Sequence, residues 1–261
     1  MDLRLKDKVV IVTGGAKGIG QGITRAFAAE GAIVAIFDRN PGQAEELVSE
    51  LRTAGGRADV FAVELTDGAE IARAVGAVRE RFGTIDVVVN NAGVNDGVSL
   101  EAGVHRFEES LRKNLVHYYA LVHGALDALK ASRGTVVNVG SKVAVTGQGG
   151  TSGYAAAKGA IDALTREWAV ELAPFGVRVN CVIPAEVMTP LYERWLKTLP
   201  DPKVALAQIE NAIPLGRRMT TTAEIADTVV FVASPRSSHT TGQILYVDGG
   251  YVHLDRKLTV R

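Results

Sequence analysis

One cysteine in 261 residues, Cys181, leaves this chain without the means for an internal disulfide or a cysteine metal cluster. Its setting in the apolar run VRVNCVIP marks it as a buried structural thiol. Excess charge is missing as well. Lys and Arg number 29 and so do Asp and Glu, and the cations are spread along the chain, so no clustered basic face exists to gather nucleic acid or acidic lipid. Long apolar runs are also lacking. In the opening stretch MDLRLKDKVVIVTGG only residues 9–12 are continuously apolar, too few for a signal-peptide core or a bilayer span, so a cytoplasmic location without membrane attachment is expected. The five histidines, His105, His117, His123, His239 and His253, are scattered, and no His/Asp/Glu spacing fits zinc or iron. No metal is expected. There is no tract of Pro, Ser or Gly long enough to be a linker and no internal repeat, which predicts one domain over 1–261.

What is present alternates. Short β-branched runs (KVVIVTG, IVAIFD, DVFAVEL, DVVVNNAG, TVVNVGS, VRVNCVIP, QILYVDGG) are separated by amphipathic stretches near 19–30, 41–54, 67–82, 105–131, 152–173 and 222–234. Strands this apolar are buried on both faces, so the pattern predicts an α/β fold: a doubly wound Rossmann fold whose seven-stranded parallel sheet carries helices on both faces. Ligands then bind at the carboxyl ends of the strands, where strand order reverses. The stretch 185–221 holds Pro190, Pro200, Pro202 and Pro214. It reads as an irregular, mobile flap over that site.

Directly after the first apolar run comes Thr13-Gly14-Gly15-Ala16-Lys17-Gly18-Ile19-Gly20, opening onto an amphipathic helix. Glycine permits the tight turn and lets backbone amides approach a pyrophosphate, and the helix amino terminus favours the anion. Asp38 ends the second apolar run, 18 positions beyond Gly20. A carboxylate there can accept both ribose hydroxyls of NAD and repels the extra phosphate of NADP. Tyr154 and Lys158 stand at i, i+4 in YAAAK, on one face of a helix. A phenol titrates near pH 10, and an ammonium beside it favours the phenolate, making it a usable base at neutral pH. Ser141, ending TVVNVGS, can donate to a substrate oxygen beside Tyr154.

Five elements together, the TGGAKGIG loop, NNAG at 90–93, Ser141, YAAAK at 154–158 and VIPAEVMTP at 182–190, resemble the short-chain dehydrogenase/reductase family over about residues 5–250. The resemblance implies a catalytic centre of Ser141, Tyr154, Lys158 and Asn114, the asparagine holding a water that links the lysine to solvent. It implies that Gly14, Lys17, Gly18, Ile19, Gly20, Asp38, Arg39, Glu64, Leu65, Asn91, Ala92, Gly93, Tyr154, Lys158, Pro184, Val187 and Thr189 bind the cofactor. Within that set Glu64 lies near adenine and Val187 and Thr189 meet the nicotinamide carboxamide, while Asn90 supports the cofactor floor. NAD is expected as the preferred cofactor, with NADP also accepted because Lys17 and Arg39 are placed where relatives hold its phosphate. One departure is Pro184-Ala185 where relatives read proline-glycine, which should restrict the backbone there. A homotetramer is implied too, with His117, His123, Tyr118 and Tyr119 packing on the long helix and Trp168 in core or interface.

Among members of the family the chain is most similar to aldose dehydrogenases of the L-fucose type, which oxidise a sugar C1 hydroxyl to a lactone. Polar residues around the expected site fit that substrate class: Asn95 and Asp96 after NNAG, Gln148 between Ser141 and Tyr154, and Glu186 after Pro184-Ala185. In a closed site each unpaired polar group costs roughly 1–3 kcal/mol, and a ligand rich in hydroxyls would satisfy them. Tyr192 and Trp195 in the flap suit the C–H face of a sugar ring. The alternatives are a 3-oxoacyl reductase of the acyl-carrier-protein type and an inactive nicotinamide-binding sensor.

Overall fold

The computed structural model describes residues 1–254; residues 255–261, the end of the expected 1–261 unit, lie outside the described residues. In chain order the principal elements are β1 Val9–Thr13, α1 Gly18–Ala29, β2 Ile33–Asp38, α2 Pro41–Thr53, β3 Arg57–Ala62, α3 Gly68–Phe82, β4 Val87–Asn90, α4 Val104–Leu111, α5 His117–Ser132, β5 Thr135–Val139, α6 Ser152–Leu172, β6 Arg178–Pro184, α7 Pro190–Leu196, α8 Pro202–Asn211, α9 Thr222–Ala233 and β7 Ile244–Val247. Every strand pairing is parallel, in the order β3-β2-β1-β4-β5-β6-β7. Strand order therefore reverses between β1 and β4, as the alternating pattern predicts, and the crevice opens at their carboxyl ends.

All residues of β1, β4 and β5 are buried. Alternate side chains feed two apolar layers. One joins Val10, Val12, Val34 and Ile36 to Ile23 and Phe27 of α1 and Val229 of α9. The other joins Ile11, Phe37 and Val88 to Val75 and Val78 of α3, Leu121 of α5 and Ile161 of α6. Helix ends follow local chemistry. Asp67 caps α3 by accepting from Ala69 N at 2.8 Å and Glu70 N at 3.2 Å, Gly83 closes it in the left-handed region (φ 78°), and Thr221 with Glu224 forms a reciprocal capping box on α9.

Two regions differ from the sequence pattern. The helix expected near 105–131 is interrupted by a π turn over Arg112–Val116 between α4 and α5. Its cause is Asn114, whose Nδ2 donates to the Ser110 carbonyl at 3.0 Å, so that a side chain enters the backbone ladder and widens it. Segment 185–221, expected to be irregular, contains α7 and α8. Pro190 and Pro202 stand in their first turns, where a missing N–H does no harm, and Thr189 and Asp201 cap them.

Candidate active site

The phosphate loop lies at the switch point. Gly14 (φ 61°) and Gly18 (φ 54°) occupy backbone conformations that favour glycine. A Cβ on Gly20 would come within 2.1 Å of the Gly14 carbonyl oxygen, and one on Gly14 within 3.3 Å of Ala92. Lys17 caps α1 without a side-chain hydrogen bond to its amides, which leaves that amino terminus to an anion. The loop is braced by NNAG: Thr13 Oγ1 accepts from Asn91 N at 2.9 Å and Ala92 N at 3.0 Å, and Asn91 Nδ2 donates to the Thr13 carbonyl at 2.9 Å. Ile19 packs against the first apolar layer. Asp38 ends β2 with one carboxylate oxygen accepting from Asn40 N at 3.0 Å, and Arg39 beside it is exposed. Past β3, Glu64 is held by the Thr66 amide and hydroxyl, which keep its carboxyl below the usual range, and Leu65 packs on the second layer.

Past β6, Pro184 and Val187 are buried, and Val187 bridges to Thr220. Thr189 caps α7, and a Cβ on Gly18 would lie 3.3 Å from its methyl group, so this segment meets the phosphate loop. Ala185 is not in a left-handed conformation, so its methyl group imposes no backbone strain. Gly14, Gly15, Gly18, Gly20 and Gly93, together with a helix amino terminus that takes no side-chain cap bond, fit a dinucleotide. Asn90, expected to support the cofactor floor, ends β4. Its side chain is fully buried and donates to Asn138 Oδ1 at 2.9 Å, in a ladder that continues from Asn138 to Thr165 at 3.0 Å.

The catalytic candidates converge at the end of β5 and the start of α6. Ser141 stands beside Tyr154, and its hydroxyl opposes the rise that burial imposes on the phenol. Lys158, 2 % exposed, has its ammonium pulled down to about 8 by burial. Contrary to the simple picture of a cation clamped on Tyr154, its Nζ donates to the Val139 carbonyl at 2.8 Å and to Tyr118 Oη at 3.1 Å, and stands 5.6 Å from the Tyr154 ring centroid. Asn114 accepts from Val94 N at 2.7 Å, and a Cβ on Gly93 would lie 3.1 Å from Asn114 Oδ1 and 3.6 Å from Lys158 Nζ. Glycine at 93 thus keeps the approach to the lysine open.

The candidate substrate residues divide. Asp96 Oδ1 accepts from Ser110 Oγ at 2.8 Å, whereas its Oδ2 is buried with no hydrogen-bond partner among the described residues, the Lys113 ammonium standing 3.9 Å away. Ser110 in turn packs on Gly153, whose Cβ would lie 2.6 Å from its Oγ, one residue before Tyr154. Asn95 and Gln148 are exposed, and so is Trp195, whose ring meets Tyr192 edge-on at 5.1 Å. Glu186, expected to meet substrate, has partners within the protein. It is buried, one oxygen accepting from Lys142 and the other from Tyr192 Oη at 2.7 Å, so its carboxylate is already paired within the protein. The Lys142 ammonium also lies 4.3 Å from the Tyr251 ring centroid. Lys142 and Tyr118 carry no motif; only the distance across the folded sheet reveals them.

A family model described as enoyl-(acyl carrier protein) reductase matches residues 14–252. The L-fucose dehydrogenase of Bos taurus is 39% identical over 253 residues, covering 96% of this chain and 91% of that protein. The 3-oxoacyl-(acyl-carrier-protein) reductase FabG of Thermotoga maritima is 35% identical over 252 residues, covering 96% of this chain and 100% of that one. Among solved structures, the crystal structure of Cj0485 dehydrogenase superposes with a TM-score of 0.92 at 47% identity, over 98% of both chains. With its dinucleotide cradle and its serine, tyrosine and lysine gathered at one strand end, the chain belongs to the short-chain dehydrogenase/reductase family and is an NAD(P)-dependent oxidoreductase.

Proposed function

We propose that the protein is an aldose dehydrogenase of the L-fucose type, oxidising the C1 hydroxyl to a lactone with NAD as preferred cofactor. The observation that carries this reading is the buried Asp96 Oδ2, which has no hydrogen-bond donor among the described residues and only the Lys113 ammonium 3.9 Å away, near the first turn of α6. A buried carboxylate oxygen calls for a donor. A polyhydroxylated ring supplies one, and the acyl chain of a 3-oxoacyl thioester does not. The similarity to L-fucose dehydrogenase over nearly the whole chain supports the same reading.

In this mechanism Tyr154 takes the proton of the C1 hydroxyl while Ser141 donates a hydrogen bond to that oxygen, and the Lys158 ammonium favours the phenolate. A bound nicotinamide would supply the hydride acceptor for C1–H, so that C1=O can form once Tyr154 holds the hydroxyl proton. Gly14, Gly18, Gly20 and the α1 amides would hold the pyrophosphate. Asp38 would accept the ribose hydroxyls, the basis for NAD over NADP, with Lys17 and Arg39 leaving NADP tolerated. The assembly is a homotetramer. Support for that comes from apolar side chains on and beside α5 and α6 that stand open: Val116, Tyr119 and Val170, the last 77% exposed. Reduced cofactor appearing at 340 nm with millimolar L-fucose and NAD tests the reading. Silence with L-fucose alongside ready oxidation of NADPH by a 3-oxoacyl thioester would replace it with the ketone reductase.

A further inference from the structure

Lys158 has three N–H donors, and two of them are committed away from Tyr154. One goes to the Val139 carbonyl at 2.8 Å and one to Tyr118 Oη at 3.1 Å, while Tyr118 Oη itself donates to the same carbonyl at 3.0 Å. The three atoms form a closed triangle at the carboxyl end of β5, two residues before Ser141. Around it the ammonium is sandwiched by two phenols, 5.3 Å from the Tyr118 ring centroid and 5.6 Å from that of Tyr154. Its remaining side faces Gly93, where the missing side chain opens toward the cofactor cradle.

We propose that Tyr118 is a positioning residue for the acid–base pair: its hydroxyl fixes the Lys158 ammonium at the end of β5 and sets how strongly that charge supports the Tyr154 phenolate. This rests on Tyr154 and Lys158 being the acid–base pair. Tyr118 is wholly buried, and burial pushes its own phenol well above the ordinary range, so it stays neutral and acts only through its hydrogen bonds. The other titratable groups facing the lysine are His117 on α5, Tyr154 and Asp162 on α6, and Cys181 on β6. His117 is held neutral, pulled down to about 4 by burial and by the lysine's charge, while its Nε2 pairs with the Lys113 carbonyl at 3.0 Å. The Asp162 carboxyl is pushed up by burial and takes the Cys181 thiol at 3.7 Å. Only the Tyr118 hydroxyl and the Val139 carbonyl accept directly from the ammonium among the described residues.

Tyr118→Phe removes one oxygen and keeps the ring in its packing. The sign of the effect is fixed: loss of an acceptor disfavours the charged lysine, so its midpoint falls, and a less charged lysine supports the phenolate less, so the Tyr154 midpoint rises. In cofactor-free protein labelled with 15N-lysine, the Lys158 Nζ resonance, assigned by its loss in Lys158→Met, should titrate about one pH unit lower in Tyr118→Phe than in the parent. With L-fucose and NAD, the acid limb of the kcat profile should move up by about one unit, a loss of about tenfold on that limb. Inactivity of Tyr154→Phe must accompany these shifts; turnover in that variant would refute the acid–base reading and this inference with it. If Tyr154→Phe is inactive and the Lys158 midpoints of Tyr118→Phe and parent agree to within about 0.2 unit, the hydroxyl only packs, and the inference alone is overturned.

Discussion

The two oxygens of Asp96 are held unequally. One oxygen accepts from Ser110, and the other is shut away from water with no hydrogen-bond donor among the described residues and only the Lys113 ammonium 3.9 Å away, which compensates the charge incompletely. Asp96→Asn removes the buried charge but also the acceptor strength that a sugar hydroxyl would meet. The two effects have opposite signs, which makes the variant informative. KM for L-fucose should rise by about tenfold, the loss of one hydrogen bond to a charged group, while kcat changes little and the thermal midpoint holds or rises. An unchanged KM would remove Asp96 from the substrate site. The meeting of Ser141, Tyr154 and Lys158 at one strand end was legible beforehand, because they belong to local motifs. Tyr118 and Lys142 were not, since their partners lie 40 and 44 positions away and meet them only after folding.

At the scale of elements, one ion pair fastens four segments. Lys142 follows Ser141 at the end of β5, Glu186 follows β6, Tyr192 belongs to α7 and Tyr251 to the segment after β7. The Glu186 carbonyl also accepts from Thr220 N at 3.0 Å, tying in the approach to α9. Because the pair is buried, removing one partner strands a charge, whereas removing both does not. Lys142→Met should therefore cost about 3 kcal/mol, roughly 10 °C in Tm for a chain of this size, and adding Glu186→Gln should recover part of that loss. Equal melting of the single and double variants would show that charge is not what holds these segments together. The stretch 185–221 looked irregular in sequence because its prolines were read as breakers. Two of them stand in first turns behind capping residues, where they start helices instead. The π turn at Asn114 was equally hidden, since apolar periodicity near 3.6 registers a helix and not the one residue inserted into it.

For the whole molecule, the alternation of buried strand and amphipathic helix carried the architecture directly, because a parallel sheet covered on both faces leaves nearly every strand residue apolar. What the pattern could not carry is assembly, which depends on the faces left open. Val170 on α6 and Tyr119 on α5 are exposed beside a ring contact of 6.4 Å between Tyr119 and Trp168. Sedimentation equilibrium should return four times the 27.6 kDa chain mass, and Val170→Arg should lower it by placing a charge in an apolar interface. A parent protein that sediments as one chain would rule out the tetramer.

The central claim is hydride transfer from C1 of an aldose, and an isotope reads it most directly. L-fucose carrying deuterium at C1 is oxidised with NAD, and the reduced cofactor and the sugar product are weighed by mass spectrometry. The account predicts one deuterium in each reduced cofactor, none at C1 of the lactone, and no transfer in Tyr154→Phe. Reduced cofactor without the label, or no reduction while a 3-oxoacyl thioester turns over with NADPH, would contradict it.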